Sequence, residues 1–352
     1  MYDIVFAKPI PTLVTGDPSE ALDAAEHISV TSTPFYLRDL KVGNDGVITY
    51  GNKSGKITQY GFEKFCTRIL GIPKNFSKTI PRDLLFTNIN RLQKDKSGEE
   101  VVVLSRDNDE IAAIVKSPYD ECSYTDVIGS IMDSDNLNGI ILTEELLIVR
   151  FNFSEIVVSD SSTKDTVNVA NFLFSSLLKD TPLSLVSGLY RSKCYNSFIM
   201  PYLGRMKAHY FIKDHTQRLL RFSENISHYD EMIFESLKNN FSSVFSSRRL
   251  FDNEVVKYWK SLNRAVGSAD ADKLTKMSEE TRKDLVTTVN QRNSTNKRAR
   301  LLGNAVDENV WTSFKAYDFL NDITSFAQKV EFRERLQLEK IGGDIIKSMV
   351  LH

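Results

Sequence analysis

Apolar positions recur at helical spacing early in the chain and change to strand spacing after residue 100. Phe62, Phe65, Cys66, Ile69 and Leu70 fall at i, i+3, i+4, i+7 and i+8, which predicts an amphipathic helix. Thr58 precedes it as an N-cap, and Gly71 followed by Pro73 ends it. A second helix is predicted from near Pro81, with Leu85, Ile89 and Leu92 on one face. Proline suits a first turn, where its missing N–H would bond to nothing in the helix. Residues 101–104 and 111–115 are then β-branched runs separated by Arg106, Asp107, Asn108 and Asp109, the pattern of a hairpin. A short helix is predicted over 124–132, and a second hairpin over 139–142 and 146–151. Further strands at 155–158 and 183–189 flank a polar loop at 160–168.

From Asp214 the pattern is helical again. Leu219, Phe222, Ile226, Tyr229, Ile233, Leu237 and Phe241 keep a spacing of three to four residues and predict a long helix. Further helices are predicted at 253–266, 278–290, 311–329 and 331–349. Residues 1–50 carry Pro9, Pro11, Pro18 and Pro34 and predict extended pairing or a loose arm. The expected fold class is α+β, with N-terminal helices and an antiparallel sheet followed by a mostly helical C-terminal half. The expected organisation is an irregular or extended segment 1–56, an α+β core 57–204, and a mostly helical region 205–352 packed on that core as one unit.

Composition adds bounds. With 352 residues, 41% apolar and 26% charged, the chain can bury a sizeable core. The three cysteines, Cys66, Cys122 and Cys194, are widely spaced and odd in number, which predicts reduced thiols and a reducing cytoplasm. Met1–Phe6 has no basic region leading into an apolar run, and no segment approaches the ~18 apolar residues of a membrane helix. Neither a secretory signal nor a membrane partner is expected.

Motifs for catalysis fail on spacing. Gly51, Gly55 and Lys56 suggest a phosphate loop, but three residues separate the glycines where four are needed. Ile57 also stands where a hydroxyl should hold Mg²⁺, so a solvated turn leading into a helix is expected. His209 and His215 have zinc-like spacing, but Cys194 has no second thiol nearby. Fourteen acids between Glu99 and Asp160 stand against Arg106, Lys116 and Arg150, and are read as solvated turn and strand positions. No catalytic residue, cofactor or metal ligand is assigned, and an enzyme is the less favoured reading.

The opposite imbalance lies at 191–222. Arg191, Lys193, Arg205, Lys207, Lys213, Arg218 and Arg221 stand against Asp214 alone, interleaved with aromatics that include Tyr195 and Tyr202. Cations that track phosphates beside rings that stack on bases are the components of single-strand binding. Arg292, Lys297, Arg298 and Arg300 form a second polar, basic stretch suited to phosphate contacts. A basic helix face packed on core aromatics would leave the same pattern.

Three segments in consistent order over 57–347 resemble a phage- and plasmid-associated family of unknown function, the domain of unknown function numbered 932. They are 57–73, ending in Leu70, Gly71, Ile72 and Pro73; the stretch with Arg191, Cys194 and Asn196; and 316–327 with Leu336, Gln337, Gly342 and Gly343 beyond it. Ser197 stands where that family usually has Gly, and Gln328 near a position often held by His. The resemblance implies a phage or other mobile element as source and the bacterial host cytoplasm as location. It carries over Arg191, Cys194 and Asn196 as family-motif positions, each equally suited to a structural role.

Together these features lead to an expected function: a phage-encoded, non-catalytic accessory factor of DNA metabolism that binds or anneals single-stranded DNA. Copies are expected to form a homo-oligomer, as a ring or filament, with the acidic segment 97–160 facing a neighbour's basic surface. The alternative from another class is a phage structural or host-interaction protein whose patches serve protein–protein electrostatics. A metal-dependent nuclease using Asp120 or Asp126 is the third reading.

Overall fold

A computed structural model describes residues 4–107, 109–119, 123–160, 163–178, 183–191, 196–200 and 332–350. In chain order these form β1 (Leu13–Thr15), α1 (Pro18–Ile28), β2 (Thr31–Tyr36), a 3-10 turn (Leu37–Asp39), β3 (Leu40–Val42), β4 (Val47–Tyr50) and β5 (Lys53–Lys56). Next come α2 (Gln59–Lys64), a π-helical turn (Phe65–Leu70), α3 (Lys74–Thr79), α4 (Arg82–Asp95), β6 (Glu100–Ser105), β7 (Ile111–Lys116) and α5 (Tyr124–Gly129). The last are β8 (Leu137–Leu142), β9 (Leu147–Asp160), β10 (Thr163–Ser175), β11 (Ser184–Arg191), β12 (Asn196–Met200) and α6 (Phe332–Val350). The strands make three sheets, ordered β2-β6-β7, β3-β4-β5 and β1-β8-β9-β10-β11-β12.

This corrects the expected fold class. The described residues are rich in antiparallel sheet and hold few helices, in place of N-terminal helices leading to one sheet. Of the alternatives for the N-terminal segment, residues 4–56 take the paired one, supplying five strands, and add α1, which the sequence reading did not place. Their strands are only three to six residues long, too short for alternation to stand out in sequence. Pro34 even sits within β2, where it is tolerated because β2 is the outer strand of its sheet. Of the polar loop expected at 160–168, residue 160 ends β9 and residues 163–168 are instead the start of β10. That strand opens on polar Thr163–Thr166 before its buried Val167, Val169 and Phe172, which hid it. The helices expected at 253–266, 278–290 and 311–329 lie outside the described residues, as does the long one beginning near 214. The helix expected at 331–349 is observed as α6.

Cα proximity divides the chain into two compact units: Met1–Val149 with Leu173–Ser184 and His209–Ser223, and Arg150–Phe172 with Leu185–Ala208 and Glu224–His352. In the first, the predicted hairpin forms with Val103 opposite Ile114 and Leu104 opposite Ala113. Its β-branched side chains fill a core with Leu37, Ile48, Ile57, Phe65, Ile69, Phe86 and Ile89. Each such side chain contributes about 1.5–3 kcal/mol by leaving water. Phe62 lies between Phe6 and Phe86, with ring centroids 5.8 and 6.3 Å away. Thr58 caps α2 as its position predicted: its hydroxyl accepts from the Gly61 N–H at 3.0 Å and donates to the Ala112 carbonyl at 2.8 Å. Its own N–H donates to the Ile111 carbonyl at 2.9 Å, so one residue both starts the helix and ties it to β7.

That tie demands glycine twice. A Cβ on Gly55 would overlap the Asp109 carbonyl oxygen, and one on Gly61 would overlap the Ala112 carbonyl oxygen. Both obstacles are backbone and cannot swing aside. In the second unit, β11 and β12 pair antiparallel from Ser187 opposite Met200 to Arg191 opposite Asn196. α6 packs on β12 and buries Leu336, Leu338, Ile345 and Ile346.

Gly55→Ala and Gly61→Ala are each expected to lower the unfolding free energy by more than about 2 kcal/mol in urea titrations. Gly98→Ala, whose added Cβ would meet nothing within 4 Å, should change it by less than about 0.5 kcal/mol.

Candidate functional site

The sequence-predicted interface begins on the β11–β12 hairpin. Arg191 is the last residue of β11 and Asn196 the first of β12, and the register sets them directly opposite one another. Two of the three positions singled out by the resemblance are thus cross-strand partners. Lys193, Cys194 and Tyr195 lie outside the described residues. So do Tyr202, Arg205, Lys207, Lys213, Arg218, Arg292, Lys297, Arg298 and Arg300.

Next to Arg191 on β11, the sequence reading missed a cation held on a ring. Tyr190, opposite Ser197, is buried, and the Arg150 guanidinium lies 3.5 Å from its ring centroid. Such a stack is worth about 0.5–2 kcal/mol, more as water is excluded. Arg150 was counted against the acids of 97–160 because it falls within that stretch, and no local signal shows that β9 brings it to Tyr190. On α6, Arg335 Nε donates to Glu339 Oε1 at 2.9 Å, and Glu339 is buried. This pair has the i, i+4 spacing of a helix and was legible in principle.

The acidic segment also holds a correction. Its carboxylates were expected to be solvated, yet Glu144 is buried, with Oε1 accepting from Arg106 Nη2 at 2.6 Å. Glu110 Oε2 lies 3.5 Å from Nη1 of the same arginine. Arg106 follows β6 and Glu110 precedes β7, so the hairpin loop holds both ends of that second pair; Glu144 arrives from the β8–β9 turn. That turn is fixed by Thr143, whose hydroxyl accepts from the N–H of Leu146 at 2.9 Å. Removing two charges from water costs several kcal/mol per ion, which a short, charge-assisted bond offsets only while both partners remain.

The false phosphate loop is likewise settled by geometry. Gly51 takes a positive φ of 55° in the tight turn joining β4 to β5, and Lys53–Lys56 is a strand, not a turn running into a helix. Cys66 is buried in the core, and burial, with Glu63 nearby, pushes its thiol up to about 12. A thiol held neutral is a filler of space and no nucleophile. Among the described residues no three His, Cys, Asp or Glu side chains gather to hold a metal, and no helix is long and apolar enough to cross a membrane. No protein-family model, curated protein or solved structure matches the chain.

Two predictions follow from these buried groups. Glu144→Met and Arg106→Met should each cost about 3–5 kcal/mol in unfolding free energy, because each leaves the other partner charged and buried. The double variant Arg106→Met/Glu144→Met should cost less than either alone; a double-mutant cycle by urea titration measures this. For Cys66, the unfolded thiol ionises near its ordinary value of 9.0 while the folded one holds its proton to about 12. The folded state therefore binds more protons in that interval, and stability should fall as pH rises through it. Cys66→Ala should lack this part of the pH slope in denaturation at pH 8 to 10.

Proposed function

We propose that the chain is a non-catalytic, phage-type protein of the bacterial cytoplasm whose ligand is single-stranded DNA and whose copies associate as a ring or filament. The observation that carries the reading is segment 191–222, where seven Lys and Arg stand against Asp214 alone with aromatic residues between them. Cations supply a backbone-tracking field and rings supply stacking surfaces, and neither requires a particular base. The β11–β12 hairpin supports it by giving the segment a paired starting point at Arg191 and Asn196. The phage-type source rests on the ordered resemblance over 57–347.

A labelled oligonucleotide titrated by fluorescence anisotropy tests the proposal. Binding at about 50 mM salt is expected to weaken steeply as salt rises, with a log–log slope near −0.7 per neutralised phosphate. Arg205→Ala with Lys207→Ala should flatten that slope by about 1 and weaken all sequences alike. Absence of binding at low salt, or binding indifferent to salt, discards the reading.

A further inference from the structure

The first unit separates its charges, and it does so through the fold as much as through the sequence. Residues 9–37 contain four carboxylates, Asp17, Glu20, Asp23 and Glu26, and no Lys or Arg. Residues 117–149 contain seven and again no Lys or Arg. Far apart in the chain, the two segments are one structure in space. β1 pairs with β8, Val14 opposite Ile141, and α1 packs on α5, β1 and β8. Asp23 and Glu26 of α1 are exposed, as are Asp126, Asp133 and Asp135 around α5. Glu144, the buried member, is neutralised by Arg106 from a different segment.

A second region of the same unit has the opposite sign. Residues 53–96 carry ten Lys and Arg against Glu63, Asp83 and Asp95. They fold into β5, α2, the π turn, α3 and α4, which pack about a common core. Lys96 Nζ donates to the Ile69 carbonyl at 2.7 Å, fixing the end of α4 to the end of the π turn next to exposed Arg68. α4 buries Leu85, Phe86, Ile89 and Gln93, so Leu84, Thr87, Arg91 and Lys94 form its outward stripe.

Each region also exposes apolar surface among its charges. Leu84 is 49% and Phe76 45% exposed in the basic region, and Val14 is 68% exposed on the edge strand β1 in the acidic one. An apolar residue ringed by charge of one sign fits a surface of similar make and opposite sign, and this chain carries both. We infer that copies associate head to tail, the β1–α1–α5 surface of one seating on the α2–α4 surface of the next. The two surfaces differ, so the contact is heterologous and propagates to a ring or an open filament. A net charge of −1 leaves little overall repulsion to oppose it. A nucleic acid would satisfy the basic region's cations but leave the acidic surface and Val14 without a counterpart, so the second copy is the occupant. The inference rests on the association part of the proposed function and is independent of strand binding.

Sedimentation velocity of the full chain is the test, with circular dichroism to establish that each variant is folded. Wild type should be oligomeric at about 50 mM salt and shift toward monomer by about 500 mM, where the screening length falls to a few ångströms. Arg91→Glu/Lys94→Glu and Asp23→Lys/Glu26→Lys should each be monomeric alone at low salt. Mixed together they should associate again, because the unaltered acidic surface of Arg91→Glu/Lys94→Glu meets the unaltered basic surface of Asp23→Lys/Glu26→Lys, and the two altered surfaces also carry opposite signs. Variants that assemble like wild type would leave association standing and overturn this assignment of surfaces. A monomeric wild type at low salt would overturn both. If, in addition, Arg91→Glu/Lys94→Glu lost affinity for a labelled strand, the basic region would belong to nucleic acid.

Discussion

Where β7 begins, four residues crowd its backbone. Ile111 bridges to Ile57, the Thr58 N–H and hydroxyl take the carbonyls of Ile111 and Ala112, and Gly55 and Gly61 lie against the carbonyls of Asp109 and Ala112. None of these contacts involves an apolar side chain, yet they set the distance at which α2 and its π turn present Phe62, Phe65 and Ile69 to the core. A backbone hydrogen bond contributes only about 1 kcal/mol net, but the close approach leaves no space for a partial shift. The packing of the unit's core is therefore conditional on two positions that carry no side chain.

The same hairpin organises the polar interior. Its loop closes through the Arg106 N–H to the Glu110 carbonyl at 2.8 Å, with Asp109 at a positive φ of 59°. That closure sets Arg106 where Glu144 can reach it. A buried ion pair is a poor source of stability compared with well-packed apolar groups, but it is selective about geometry. Only one placement of the β8–β9 turn satisfies the arginine. The β6–β7 hairpin and the β8–β9 turn, separate in sequence and in different sheets, are thereby held in one arrangement.

Local signals were read correctly and distant ones were not. Thr58 as a cap, Gly71 as a stop and the 101–115 hairpin are decided within a few residues, where capping and alternation operate. β1 through β5 fall in a segment read only as extended pairing or a loose arm, and could not be placed one by one because each is short and owes its existence to a partner elsewhere, as β2 does to β6. β10 was hidden by a polar opening whose strand character comes from its neighbours. Of the candidate site, the charge imbalance at 191–222 is visible in sequence, whereas the pairing of Arg191 with Asn196 is a property of register. Arg150 was legible only as a charge, since nothing near it in sequence announces Tyr190.

Charge patterning shows the same limit in a form that bears on function. Counted along the chain, the acids form one block at 97–160, and the four acids at 17–26 fall in a segment read only as extended pairing or a loose arm. Counted in space, α1 joins the cation-free segment 117–149 through β1 and β8, while Arg106 is drawn out of the acidic block to neutralise Glu144. The fold thus sharpens a separation that the sequence states only partly. A net charge near zero conceals two fields of opposite sign, each screened within about a nanometre at physiological salt. Such fields act on whatever approaches closely, so the orientation in which a second molecule arrives is selected before any apolar contact forms.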